Sequence, residues 1–159
     1  MGGLGAYMIG CKSANSFAAV VPMCGGGSPV FSKLLARTAC WFFHSRDDVC
    51  VPCSSTESVV AALRHEQDQQ AREQRQQQEE GQQEALNEPA TSAAHKEQAA
   101  VASCRLTLYD RSPAPNSFAD CAWMDGHDCW SEAYETEELW MWLLQQRSVQ
   151  WEEAQRRWI

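Results

Sequence analysis

The sequence has no long uninterrupted apolar run. A membrane-crossing helix needs about 20 consecutive apolar residues, so no membrane span is expected. It also lacks an excess of positive charge: 13 Lys and Arg stand against 21 Asp and Glu, for a net charge of -8. Binding nucleic acid through its phosphates requires a basic face, and attachment to anionic lipid requires a basic patch, so neither partner is expected. The basic stretch that opens a secretory signal peptide is missing from Met1-Gly2-Gly3-Leu4-Gly5-Ala6, and Ala6 stands where an N-myristoylation signal carries Ser or Thr. The 8 cysteines are scattered singly rather than spaced as in a small disulfide scaffold, which points to reduced thiols in a cytoplasmic protein.

One C-x-x-C pair is present, Cys50-Val51-Pro52-Cys53, and His127 and Cys129 could join it around a metal. No second C-x-x-C pair completes a structural zinc site, so the cysteines read as small apolar residues, and neither a metal nor a cofactor is expected.

Large apolar side chains are almost absent between residues 65 and 103, where Gln, Glu and Ala dominate. That tract reads as a low-complexity insertion, disordered or helical, a frayed surface segment with no sustained apolar a and d positions for a coiled coil. On the order of 120 residues remain to build a core, enough for one small domain.

Outside the insertion the chain alternates helical and extended patterns. Leu4, Tyr7, Met8 and Cys11 have helical spacing behind a glycine-rich entry. The run Phe17-Ala18-Ala19-Val20-Val21-Pro22-Met23-Cys24 predicts a buried strand, followed by a flexible loop over Gly25-Gly26-Gly27-Ser28-Pro29. Residues 30–37 predict a short helix or turn. Ala39-Cys40-Trp41-Phe42-Phe43 predicts a second strand, ending in a polar loop that carries Asp47 and Asp48. A helix should open at Ser54-Ser55-Thr56-Glu57, with Ser54 and Glu57 at capping-box spacing and Val59, Val60 and Leu63 facing the core, and end at Gly81 or Pro89. Cys104-Arg105-Leu106-Thr107-Leu108-Tyr109 alternates and predicts a third strand. A final amphipathic helix carries Leu139, Trp140, Trp142, Leu143 and Leu144, and Trp151 and Trp158 sit one heptad apart on a charged tail over 148–159. This order implies parallel strands joined by right-handed crossovers, an α/β architecture with about three strands.

In a parallel sheet, ligands and catalytic groups collect in the loops after the strands' carboxyl ends. Two such loops carry Asp48 and His127. A carboxylate that accepts from imidazole Nδ1 fixes the ring's tautomer and leaves Nε2 free to act as a base.

Three segments give these residues a family context. Trp41-Phe42-Phe43-His44-Ser45-Arg46-Asp47-Asp48-Val49-Cys50-Val51-Pro52 is similar to a His-Gly-x-x-Asp-x-x-Val-Pro loop, with Ser45 in place of Gly. Gly126-His127-Asp128-Cys129-Trp130 is similar to a Gly-His-Asp-x-Trp segment. Met1-Gly2-Gly3-Leu4-Gly5-Ala6-Tyr7 is similar to the residues just after the nucleophile in Gly-x-Ser-Met-Gly-Gly. Together, 1–64 and 104–147 resemble the C-terminal part of an α/β-hydrolase, of the dienelactone-hydrolase, polyhydroxybutyrate-depolymerase and prolyl-oligopeptidase-type groups. The resemblance implies a partial α/β-hydrolase sheet with Asp48 as triad acid and His127 as general base. Met1 would stand at the oxyanion-hole position, and the substrate would be an ester-type small molecule. It also implies a nucleophilic serine immediately before the position of Met1; Ser13, Ser16 and Ser28 do not sit at a strand-to-helix elbow. The expectation is therefore a serine hydrolase of the esterase class, seen as a chain without its nucleophile and inactive alone. The alternative is a catalytically inactive remnant that binds a protein partner through its Gln-rich or Trp-rich segments.

Overall fold

The computed structural model describes residues 1–85, 102–114, 120–121, 124–148 and 151. The expectations for Pro89 and Trp158 lie outside the described residues. Three parallel strands, β1 (Ala19–Val20), β2 (Ala39–Ser45) and β3 (Cys104–Tyr109), form a sheet in the order β1-β2-β3. Helices α1 (Gly2–Lys12), α2 (Cys53–Ala85), α3 (Trp130–Glu135) and α4 (Glu137–Leu144) flank it. A 3₁₀ helix over Pro29–Leu35 links β1 to β2, and α2 links β2 to β3. This is an α/β architecture with a three-stranded parallel sheet and flanking helices, as expected. Among the described residues no helix is long and apolar enough to cross a membrane.

β2 explains why its sequence reads as one apolar block instead of alternating. All of its residues are buried, because helices cover both faces of a parallel sheet. Cys40 and Phe42 point into a core with Tyr7, Leu35, Val59, Val60 and Leu63. Ala39, Trp41 and Phe43 point the other way, against Met23, Cys129, Ala133, Leu139 and Trp142. Trp41 stacks on Phe43 at 5.2 Å and meets Trp142 edge-on at 5.4 Å, while the Arg105 guanidinium covers the Trp41 ring at 4.9 Å. Each aromatic pair of this kind adds about 0.5–1.5 kcal/mol beyond the area it buries.

The structure corrects several sequence expectations. The first strand is only Ala19–Val20, with one further parallel bridge between Met23 and Phe43. Pro22 has no N–H to donate and breaks the ladder, although its carbonyl still accepts the Phe43 amide at 3.1 Å. The glycine run after it is packed in part. A Cβ on Gly25 would lie 2.5 Å from the Gly3 carbonyl carbon, so the start of α1 rests on this turn and neither position tolerates a side chain. β2 runs two residues past Phe43, because its pairing with β3 continues through His44↔Leu108 and Ser45↔Tyr109.

α2 starts at Cys53, so Ser54 lies inside the helix, where its carbonyl accepts the Ser58 hydroxyl at 2.8 Å. Glu57 pairs with Arg46 at 3.5 Å instead of closing a capping box. α2 then continues through Gly81 to Ala85, so the first part of the Gln-rich tract is helical. Its Gln, Glu, Arg and Ala residues are strong helix formers, and i,i+4 bonds such as Gln76 to Glu80 at 3.0 Å support it where no core contact does.

Candidate active site

β2 ends facing the site. By strand parity, His44 lies on the same face as Cys40 and Phe42, toward α2, and its Nδ1 meets the Thr56 hydroxyl of α2 at 2.8 Å. Its Nε2 lies 3.0 Å from Asp48 Oδ2 and 2.9 Å from the Val51 carbonyl oxygen. Both neighbours are acceptors, so Nε2 carries the proton and donates to them. The chain turns sharply after β2, and Asp48 Oδ1 shapes that turn by accepting the Cys50 amide at 2.8 Å and the Val51 amide at 2.9 Å.

His127 comes to the same carboxylate from the other loop. Its Nδ1 lies 2.7 Å from Asp48 Oδ2, so Nδ1–H donates and Nε2 is left with its lone pair. The two loops are sewn together around this contact. Val49 donates its amide to the Asp125 carbonyl at 3.1 Å, and the Ser112 amide donates to Asp47 Oδ1 at 2.8 Å. Gly126 has φ 72°, and a Cβ there would run into the Asp47 carbonyl. Only glycine lets the His127 loop lie this close to the Asp47–Asp48 turn. On the far side, Asp128 accepts the Ser131 amide at 3.0 Å and so holds the start of α3. The Trp130 ring stands edge-on to the His127 ring at 5.4 Å.

The side chain of Asp48 is fully buried. Burial alone pushes its carboxyl up, but the hydrogen bonds from His44, the Val51 amide and His127 outweigh that and hold it below the usual carboxylate value. Four donors fill the roughly four lone-pair sites of the carboxylate. It is therefore a fixed anion, positioned to orient an imidazole.

His127 lines a cleft of about 460 Å³ together with Met1, Gly3, Cys24, Met124 and Trp130. Met1, the sequence candidate for the oxyanion position, is fully exposed on this rim and starts α1, its carbonyl accepting the Gly5 amide at 3.0 Å. The structure thus brings Asp48 and His127 into direct contact and places Met1 on the same cleft. Among the described residues, no serine or threonine hydroxyl hydrogen-bonds to His127.

The C-x-x-C pair does not join this site: Cys50 is exposed and Cys53 half-buried. Cys24 comes near instead, with ligand atoms of Cys24, Asp48 and His127 within 4.8 Å of one another. These three could in principle hold a metal ion, but every lone pair of Asp48 already has a donor. An ion could enter only by displacing an imidazole or a backbone amide, so the donor set fits acid–base chemistry better than coordination.

Sequence reasoning missed His44, Thr56, Cys24 and Trp130 as parts of the site. For His44 a signal existed, since the His44-to-Asp48 interval matches the His and Asp of the loop pattern it resembles. Nothing in the sequence marked Cys24 or Thr56, which reach the site through the packing of β1 and α2.

No family model matches the chain, and no curated protein matches it. Among solved structures, the chain is similar to the crystal structure of a thermostable esterase, with a TM-score of 0.59 and 23% sequence identity over 91% of this chain. The match covers 28% of that esterase, so the chain spans under a third of its length. At this identity the likeness is one of fold: the chain shares an α/β fold with that part of the esterase.

Proposed function

We propose that this chain carries the acid–base half of a serine hydrolase of the carboxylesterase type, with Asp48 orienting His127 and His127 as the general base. The observation that carries this reading is the 2.7 Å bond from His127 Nδ1 to a buried carboxylate whose other lone pairs are all occupied. That geometry leaves Nε2 as the basic atom of an imidazole lining a cleft. The hydroxyl it would serve comes from polypeptide outside the described residues. The start of α1 supports this, since Met1 and Gly3 share the cleft with His127 and the segment resembles the residues just after a hydrolase nucleophile. In the reaction, His127 Nε2 would take the proton of a serine hydroxyl as it attacks an ester carbonyl, then return it to the leaving alcohol. An amide at the start of α1 would face the developing oxyanion.

A second reading, a non-catalytic remnant that binds a protein partner, draws support from α2. Beyond Gln67 that helix is largely exposed and contributes little to the core.

The test is to read the coding frame immediately upstream of Met1 and express the chain extended by the residues it encodes. A Gly-x-Ser pattern ending at that point, with hydrolysis of a nitrophenyl ester that is lost in His127→Ala, supports the enzyme. An in-frame stop, or an extended chain without esterase activity, overturns it in favour of the remnant.

A further inference from the structure

Two sulfurs beside the cleft have no part in the acid–base chemistry. Cys24 ends the segment after β1, where the Phe43 carbonyl accepts its amide at 2.9 Å. Cys129 lies two residues beyond His127, at the entry to α3. They are 105 positions apart in sequence, yet their Sγ atoms meet at 2.6 Å. A disulfide is about 2.05 Å long, so joining them needs movement well under 1 Å. Both are enclosed, at 2% and 0% exposure, in the core with Met23, Phe43, Ala133 and Leu139. Cys24 has φ 49°, a left-handed value that non-glycine residues rarely adopt, so the backbone itself fixes where its side chain points.

The two thiols differ in access. Cys24 is part of the cleft wall and Cys129 is not. The contact with Cys24, together with burial, pushes the Cys129 thiol up.

We propose that Cys24 and Cys129 form a thiol–disulfide exchange site, whose reactant is a small disulfide such as oxidised glutathione and whose product is a covalent staple across the candidate active site. The Cys24 thiolate attacks one sulfur of oxidised glutathione, breaking its S–S bond and releasing one glutathione, which takes up a proton. The Cys129 thiolate then attacks Cys24 Sγ in the mixed disulfide and releases the second glutathione, which takes up the other proton. The protein pair loses two electrons and two protons, and one oxidised glutathione becomes two thiols. The staple ties the end of the β1 segment to the loop bearing His127, and it forms whether or not the cleft hydrolyses esters.

Two other pairs compete for the same reagent. Cys40 and Cys104 stand in register on β2 and β3, and Cys50 and Cys53 lie in the C-x-x-C segment. The experiment equilibrates the purified full chain in glutathione redox buffers, approached from both the reduced and the oxidised side. Acid quenching, alkylation and peptide mapping by mass spectrometry then identify the links. The expected result is a Cys24–Cys129 link that forms at a reduced-to-oxidised glutathione ratio at least tenfold more reducing than either competing pair needs. In Cys129→Ala the link should vanish and a single glutathione should remain on Cys24. Mapping of the parent chain decides the matter even if that variant does not fold. The proposal is overturned if Cys24 and Cys129 stay alkylatable throughout, link to other cysteines, or link only after the competing pairs.

Discussion

Replacing Asp48 with Asn tests whether one carboxylate holds the site together. Oδ1 accepts two backbone amides and Oδ2 accepts two imidazole N–H groups. Asn is nearly the same size but offers one carbonyl oxygen and one NH₂ group. Either orientation turns the NH₂ toward two donors, and turning it toward the imidazoles also forces His127 to move its proton to Nε2. Each hydrogen bond to a charged acceptor is worth about 1.5–3 kcal/mol, so losing two predicts a cost of about 3–6 kcal/mol at neutral pH. The side chain is fully buried, so no solvent screening reduces this figure. The cost should depend on pH. The fold depresses the Asp48 carboxyl, so its contribution is complete above the ordinary carboxyl value of 3.8 and is lost as pH falls through the lower folded value. Urea denaturation of parent and Asp48→Asn chains from pH 7 down to about pH 2 should therefore converge in acid. Nitrogen NMR of the imidazole rings should show His127 with its proton on Nδ1 in the parent, and in Asp48→Asn the position of that proton reports which way the amide has turned. A cost below about 1 kcal/mol, or one that does not change with pH, would refute the assignment of these four bonds.

Gly126→Ala should destabilise the chain by more than about 2 kcal/mol, since it adds a left-handed backbone penalty of about 1–2 kcal/mol to a Cβ collision with the Asp47 carbonyl. It should also shift the His127 ring resonances; an unchanged ring environment would show that the loop does not need this close approach. Ser45→Ala should be neutral or stabilising by about 0.5–1 kcal/mol, because the Ser45 hydroxyl is buried with no hydrogen-bond partner among the described residues. Thermal unfolding decides it, and a loss of more than about 1 kcal/mol would mean the hydroxyl is bonded in solution.

The features legible in the sequence are those set by local physical terms. Burial on both faces leaves a continuous apolar block, so β2 is visible, and half-burial leaves alternation, so β3 is too. Asp48 and His127 are legible because each sits in a loop whose local chemistry resembles a known pattern. The glycine run after Cys24 reads as flexible because its close packing depends on Gly3, more than twenty positions away. Neither glycine segment carries a local trace of the other. Pro22 does carry a local signal, the missing amide, and a strand drawn through it is too long for that reason. The Gln-rich tract shows the reverse case. Helix propensity alone carries α2 to Ala85 once the packed turns up to Gln67 have supplied the nucleus.

The bonds that orient the His127 imidazole are also the bonds that hold the fold at this end of the sheet. Asp48 fixes the turn after β2 through the Cys50 and Val51 amides, ties the end of the strand to α2 through His44 and Thr56, and anchors the His127 loop. Burying an anion this deep is costly unless every lone pair is met. That requirement forces the two histidines, the two amides and the close approach at Gly126 into one consistent arrangement. A substitution at Asp48 therefore cannot separate the proposed chemistry from stability. His127 donates only one of the four bonds and lines the open cleft, so its removal leaves the turn and the His44 link in place. Removing His127 leaves one carboxylate lone pair to the cleft, at a cost of about 1.5–3 kcal/mol, so of the two residues its loss better separates the proposed chemistry from the fold.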